Sequence, residues 1–459
     1  MPLAPQRRID VVLDSVRRLL RIGATANLFN LLQKQHPADL AAVYGELQER
    51  DRKAAFAVVV ERSPKLAMES AAELGPELAA QLLADRPAEE IAKLIQEIPS
   101  DDAAALVDYL PEELSTAVLE LMRPKESGQV GNLLEFPEKT AGRIMNPNVF
   151  ALTEDLTVGE GISQLQSSRD VEMVFYLYIV DARRHLVGVT SLRRLLLVSP
   201  DTPLKRIMTP DVISVRVDTD QEEAARLVAS YNLLAIPVVD EENKLVGVIT
   251  VDDVIDVIKD EATEDIYRLA GVTSDERVFT PPGESLTKRL PWLAVNLVTA
   301  FIAASVVSLF EHTIDQVVAL AVFMPIVAGM GGNAGTQTLT VIVRGIALGE
   351  LTWSNSRKAL IKEALVGVGN GIACGLVGGG VVWLMQGTPW MGVILAMAMI
   401  INMFVAAIAG TLIPLSLRAL KVDPALASSV FITTLTDVFG FFSFLGLGAL
   451  FIKYLRVAG

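Results

Sequence analysis

The chain has 459 residues, 51% of them hydrophobic, and a formal net charge of −14. The charge is uneven: residues 285–459 hold 10 Lys and Arg against 6 Asp and Glu, whereas residues 1–284 hold 30 against 48. An acidic front part argues against nucleic acid, whose binding needs Lys and Arg at phosphates, and suits metal cations; the single cysteine, Cys374, rules out a disulfide framework within one chain.

The opening stretch MPLAPQRRIDVVLDSVRRLL has charges interrupting every apolar run. It reads as a surface amphipathic helix and not as a signal peptide, so the soluble part is expected in the cytoplasm. Residues 28–122 read as short helices with a loose repeat. HPADLAAVYGEL (36–47), PAEEIAKLIQEI (87–98) and PEELSTAVLEL (111–121) each place Pro first, then acids, then apolar residues at helical spacing. Units this short cannot bury an apolar face alone, so an α-solenoid or an ordinary helical bundle is expected.

Residues 131–258 change character. GRIMNPNVFAL (142–152) is echoed by KRIMTPDVISV (205–215), and RHLVGVTSLRRLL (184–196) by NKLVGVITVDDVI (243–255), with the two I-M-x-P marks offset by 63 residues. Between them lie the β-rich runs FYLYIVD and LLAIPVVD. Two β-β-α copies with these marks resemble a tandem pair of cystathionine-β-synthase-type (CBS) domains. Such pairs usually sense adenosine nucleotides or metals.

VDDVIDVIKDEATEDIYRLAG (251–271) follows, and at 100° per residue Asp253, Asp256, Asp260 and Glu264 share one helical face. Four like charges on a stripe repel one another. The stripe is either a solvated face or one that divalent cations must quench.

After Pro281-Pro282 five apolar spans are expected, at roughly 289–310, 316–343, 361–386, 390–417 and 426–452. Basic residues precede the first span (Lys288, Arg289) and lie between the second and third (Arg344, Arg357, Lys358, Lys362) and the fourth and fifth (Arg418, Lys421). The alternate loops, EHTIDQ and QGTPW, have none. The positive-inside rule then puts the soluble part in the cytoplasm and the C-terminus outside, with Lys453 and Arg456 as a mild exception.

Asp437 lies half-way along the fifth span, in ITTLTDVFGFF. An acid in mid-membrane costs roughly 2.5–3.5 kcal/mol, so it is expected to face a wet cavity or a partner. Asp423 and Glu363, near helix ends, are expected to reach water. In the second span, FMPIVAGMGGNAGTQTLTV (323–341) carries Gly329, Gly331, Gly332, Gly335, Asn333, Thr336 and Gln337, a surface suited to close helix packing or to pore lining. Asp423 before Pro424, in LKVDPALASS, is a good helix start.

A helical N-domain, two CBS domains, an acidic linking helix and five spans, in that order, resemble the MgtE family of magnesium channels and transporters over essentially the whole length. GGNAGTQ, VDPALAS and TTLTDVFGF look like its membrane motifs. The resemblance implies a multidomain fold. Residues 1–130 form an α-solenoid-like helical N-domain and 131–258 an α/β tandem CBS pair. An acidic connecting helix and linker follow at 259–284, then an all-α pore domain of five transmembrane helices per subunit at 285–459.

It further implies a homodimer in a bacterial inner (plasma) membrane, with a Mg2+ pore on the two-fold axis lined by the second and fifth spans. Asp437 is then the pore carboxylate, with the Thr433 carbonyl one turn earlier and Gly331, Gly332, Asn333, Gly335, Gln337 and Ser429 as lining or packing residues. Regulatory Mg2+ falls to Glu69, Asp101, Asp220, Glu222, Asp253, Asp256, Glu261 and Glu264, with Asp423 opposite the connecting helix. ATP, where bound, falls to Thr250 and Asp253.

Four positions depart from the family pattern: Asn232 and Ala105 stand where acids are usual, Ser429 where Asn is, and Arg194 where the first CBS copy would carry a ribose-binding acid. A passive, Mg2+-gated Mg2+ pathway is the leading expectation. A proton- or sodium-coupled exporter of divalent cations, with Asp437 as relay, is the alternative. No nucleophile–base set or cluster of metal ligands points to an enzyme, and a pore aspartate argues against an anion channel.

Overall fold

The computed structural model describes residues 5–168, 175–273, 276, 278, 280–426 and 429–456; Ala427 and Ser428 of the VDPALAS motif lie outside the described residues. The chain divides into two compact units, Met1–Ile258 and Lys259–Gly459.

Among the described residues the first unit begins with ten helices: α1 (Pro5–Arg21), α2 (Thr25–Leu32), α3 (Pro37–Glu46), α4 (Glu49–Val60), α5 (Pro64–Ala72), α6 (Pro76–Leu83), α7 (Ala88–Ile95), α8 (Ser100–Asp108), α9 (Glu112–Leu121) and α10 (Pro124–Glu135). The recurring prolines mark helix starts: Pro37, Pro64, Pro76 and Pro124 sit in the first turn, and Pro87, Pro99 and Pro111 occupy the cap. A proline there loses no hydrogen bond, because the first-turn N–H groups have no partner within the helix. From α2 to α10 each helix packs on the next but one. That stacking is solenoid-like and resolves the choice the sequence leaves open.

Two similar α/β modules follow. The first comprises α11 (Ala141–Ile144), β1 (Ala151–Thr153), α12 (Val158–Ser167), β2 (Tyr176–Val180), β3 (Leu186–Ser191) and α13 (Leu192–Leu197). The second comprises α14 (Leu204–Ile207), β4 (Val215–Arg216), α15 (Gln221–Tyr231), β5 (Ala235–Val239), β6 (Leu245–Thr250) and α16 (Val251–Leu269). In each sheet the first strand runs parallel to the second and the second antiparallel to the third, with a register shift at Ile179/Val180 and again at Val238/Val239.

The two echoed motifs meet crosswise. A β-carbon on Gly247 would lie 2.6 Å from Met145 Sδ, and one on Gly188 would lie 2.7 Å from Met208 Sδ. Asn146 and Val248 exchange backbone hydrogen bonds, as do Val189 and Thr209. The I-M-x-P entry of each copy therefore closes the sheet of the other, and the V-G-V glycine leaves room for the methionine.

The second unit holds α17 (Pro282–Ser308), α18 (Glu311–Gln316), α19 (Ala319–Ala347), α20 (Ser356–Gln386), α21 (Pro389–Ala419), a 3-10 turn at Pro424–Leu426, α22 (Ser429–Leu450) and α23 (Ile452–Arg456). Five of these, α17 and α19 to α22, are long and apolar enough to cross a membrane. They differ from the expected spans at their ends. α17 runs back to Pro282, EHTIDQ is the short helix α18 and not a loop, and Pro424 opens the 3-10 turn, leaving α22 to begin at Ser429.

The helices α20 and α21 meet backbone to backbone along a stripe of glycines outside the membrane motifs. Gly367, Gly371, Gly375 and Gly379 recur every four residues on α20, all buried. A β-carbon on Gly371 would lie 2.7 Å from Ile400 Cα, and one on Gly379 would lie 2.5 Å from the Gly392 carbonyl of α21. In lipid, where apolar surface gives no drive for helices to associate, such backbone approach supplies the packing.

Candidate metal pathway and its control sites

Asp437 sits on α22 beside a face of Ile432, Thr436, Gly440, Phe444 and Gly448, all buried, and is itself half-buried. That face meets α19: the Gly332 β-carbon position lies 3.2 Å from Thr433 Cγ2, and one on Gly335 would overlap Ile432. Thr433 donates its hydroxyl to the Val430 carbonyl, and its own carbonyl accepts the Thr436 hydroxyl at 3.0 Å.

Gly331, Gly332 and Gly335 thus pack inside the bundle. Asn333 and Gln337, expected to find partners there, instead project from the exposed face of α19, as does Gly329. Two amide side chains one turn apart on a membrane helix, turned away from their own bundle, mark a face for water or a second subunit. Ser429 is half-buried at the first turn of α22. Among the described residues no three His, Cys, Asp or Glu groups gather to hold a metal.

Glu363 does not reach water as expected. It is 4% exposed on α20, accepts the Thr338 hydroxyl at 3.3 Å and pairs with Lys362 at 2.5 Å. Turning inward lets the carboxylate join α20 to α19, while Lys362 balances its charge.

The acidic stripe on α16 splits in the structure. Glu264 is buried and ion-paired with Arg268, one turn on. The same guanidinium pairs with Asp423, whose other oxygen accepts the Ala425 N–H at 2.7 Å. Arg268 is a functional residue that the acidic pattern of the helix hides; the signal for it is its spacing of four residues from Glu264. Asp256 and Asp260 are exposed, and Glu261 is half-buried.

At the other end of the stripe, Asp253 caps α16 by accepting the Thr250 N–H and hydroxyl, the latter at 2.5 Å. It opens into a cavity of about 320 Å3 within the first unit, lined among others by Asp101, Glu126, Tyr176, Tyr178, Thr250 and Asp253. Burial pushes the Asp253 carboxyl up from 3.8 to about 6 against the Thr250 bond, with Asp252 and Asp256 adding to the rise. Burial likewise raises Asp101 well above the usual carboxylate range, helped by Asp253 and Asp102. The Tyr178 hydroxyl and Glu126 Oε2 are buried there without a hydrogen-bond partner.

Asp220 and Glu222 head α15, both exposed, with Asp220 accepting the Glu222 N–H as the cap. Glu69, half-buried on α5, lies 3.8 Å from Lys65. Asn232 takes a left-handed conformation (φ 51°) as the C-cap of α15, a role Asn fills better than the expected acid. Ala105 is exposed on α8, and Arg194 donates its N–H to the Ser191 cap of α13.

Residues 324–447 match the sequence profile of the MgtE divalent cation transporter, residues 35–139 that of the MgtE intracellular N domain, and residues 141–201 and 204–260 that of the CBS domain. The chain is 38% identical over 338 residues to the magnesium transporter MgtE of Thermus thermophilus, covering 73% of this chain and 75% of the relative. The chain belongs to the MgtE family. This MgtE member is also 38% identical to the magnesium transporter MgtE of Bacillus subtilis, over 73% of its own length and 74% of that protein. Among solved structures, the cytosolic domain of the Mg2+ channel MgtE in complex with ATP matches with 36% identity and a TM-score of 0.50, covering 53% of this chain and 99% of that one. The MgtE architecture of helical N-domain, CBS pair and multi-pass membrane domain is therefore the architecture of this chain, and the family is one of transporters and not of enzymes.

Proposed function

We propose that the protein is a homodimeric Mg2+ pathway whose pore lies between the α19 and α22 helices of two subunits. The soluble part faces the cytoplasm and the C-terminus faces outside. The observation that carries the reading is Asp437, an intramembrane carboxylate half-buried in one chain, with Asn333 and Gln337 exposed on the facing pore helix. Mg2+ dehydrates reluctantly, so one carboxylate from each subunit, with Thr433 one turn earlier and the amides of α19, suffices to hold a hydrated ion.

Control by cytosolic Mg2+ follows from the carboxylates. Asp101 and Asp253 share a cavity in which both are hard to ionise. A divalent ion there relieves their repulsion and favours the docked state of the N-domain on the CBS pair. Asp256, Glu261, Asp220, Glu222 and Glu69 add weaker surface sites. Glu264 and Asp423 differ, because Arg268 already neutralises them in part.

We assign an adenosine nucleotide to the same cavity; a cytosolic-domain relative was solved in complex with ATP. Thr250 and Asp253 would hold the ribose, with the Tyr176 and Tyr178 rings as walls. The second CBS copy serves and the first does not, since Arg194 stands where its acid would be.

Uptake of Mg2+ into proteoliposomes without a proton or sodium gradient, comparing wild type with Asp437→Ala, tests the reading. Flux in the wild type alone supports a passive pore. A wild type that stays silent until a proton or sodium gradient is added makes Asp437 a coupling site of an exporter.

A further inference from the structure

Asn402 lies in the middle of α21, fully buried. Its Nδ2 donates to the Val327 carbonyl of α19 at 2.9 Å, which sets the orientation of the amide. Two glycines on two other helices make room for it. A β-carbon on Gly331 of α19 would overlap the amide, and one on Gly440 of α22 would lie 2.7 Å from Nδ2. Its Oδ1 is buried with no hydrogen-bond partner. A polar side chain buried at such cost in a membrane domain, with two helices notched around it, serves something other than filling space.

What it touches lies next to the proposed pore. Gly331 neighbours Gly332, which packs on Thr433, and Gly440 follows Asp437 by three residues. Without the peg, α22 can slide or turn against α19. A shift of one residue turns a helix face by 100° and carries Asp437 off the pore side.

We propose that Asn402 is a positioning residue for ion passage: it sets the register of α22 against α19, and so the direction in which Asp437 and Thr433 point. The proposal rests on the placement of the pore at α19 and α22.

The register can be read without transport. Cysteines replacing Gly332 and Thr433 would have β-carbons about 4.0 Å apart, within disulfide range. In full-length protein carrying Cys374→Ala with these two cysteines, oxidation in membranes should protect both thiols from maleimide-polyethylene glycol. Asn402→Leu keeps the branched outline of Asn, with bulkier methyl groups, but cannot donate. It should cut that protection severalfold while the protein still elutes as folded from gel filtration. Without the added cysteines, the same change should lower Mg2+ flux about tenfold and alter the ratio of Mg2+ to Co2+ passage, which simple loosening of the fold would not. Asn402→Ser, which keeps a donor, should fall between and serves if the Leu variant does not fold. Unchanged cross-linking in the folded variants overturns the inference. Reduced cross-linking with full flux and unaltered ion preference also overturns it as a statement about the pore, whereas the Asp437→Ala flux assay separately decides whether the pathway runs past Asp437.

Discussion

Replacing Arg268 with Gln removes the guanidinium that joins Glu264 to Asp423. Glu264 is 8% exposed, and breaking a buried pair by deleting one partner costs roughly 3–5 kcal/mol. The Arg268 and Asp423 side chains are 31% and 30% exposed, so that arm is worth at most about 1 kcal/mol. With part of the pair open to water, a total near 3 kcal/mol is expected, and α16 should loosen from the loop before α22. The two carboxylates left behind should then favour a divalent ion. An ion at a hundredfold excess over its Kd returns about 2.7 kcal/mol, most of the loss. In detergent with a chelator, Arg268→Gln should melt several degrees below wild type. Added Mg2+ should raise its melting temperature more than it raises that of the wild type. In flux assays the Mg2+ concentration that half-closes the variant should be higher. Equal melting temperatures in chelator, together with equal increments from Mg2+, would show that Arg268 does not hold the two carboxylates and return Glu264 and Asp423 to the plain metal ligands that the family resemblance implies.

Three further outcomes are expected. Asp253 has its carboxyl raised from 3.8 to about 6, so its contribution to the docked state is full below 3.8 and lost as pH rises through about 6. The shift is worth at most about 3 kcal/mol, and chelated wild type should lose stability between about pH 4 and 6 by more than Asp253→Asn does, with Mg2+ closing the gap; identical pH profiles for the two proteins would count against it. Gly371→Val places side-chain carbons where the Ile400 backbone lies. It should cost about 1–3 kcal/mol or more and lower the yield of folded protein in detergent, and a variant that melts with wild type would show that α20 and α21 do not meet along this stripe. Gly247→Leu should expel Met145 and weaken the crosswise closure of the CBS pair, read as faster proteolysis of the first unit. The effect should be smaller in Gly247→Ala, because the methionine end can give way.

Much of the chain is legible from order alone. Prolines with trailing acids locate the N-domain helices, alternating β-rich runs locate the CBS sheets, and apolar length locates the spans, because each signal is local to its own element. The stacking of next-but-one helices, the exchange of Met145 and Met208 between modules, and the α20–α21 glycine seam are decided between elements distant in sequence. A reading of periodicity has no access to such partners. Asp437 stands out in sequence because an acid in a hydrophobic span is costly whatever surrounds it. Arg268, Glu363 and Asn402 do not stand out, since an arginine four residues after a glutamate, a glutamate near a helix end and an asparagine among methionines are each unremarked by themselves. Only the tertiary structure buries Glu264 against Arg268, turns Glu363 onto Thr338 and seats Asn402 between Gly331 and Gly440. Composition states what a side chain costs in a low-dielectric surrounding; the fold decides which partner meets that cost.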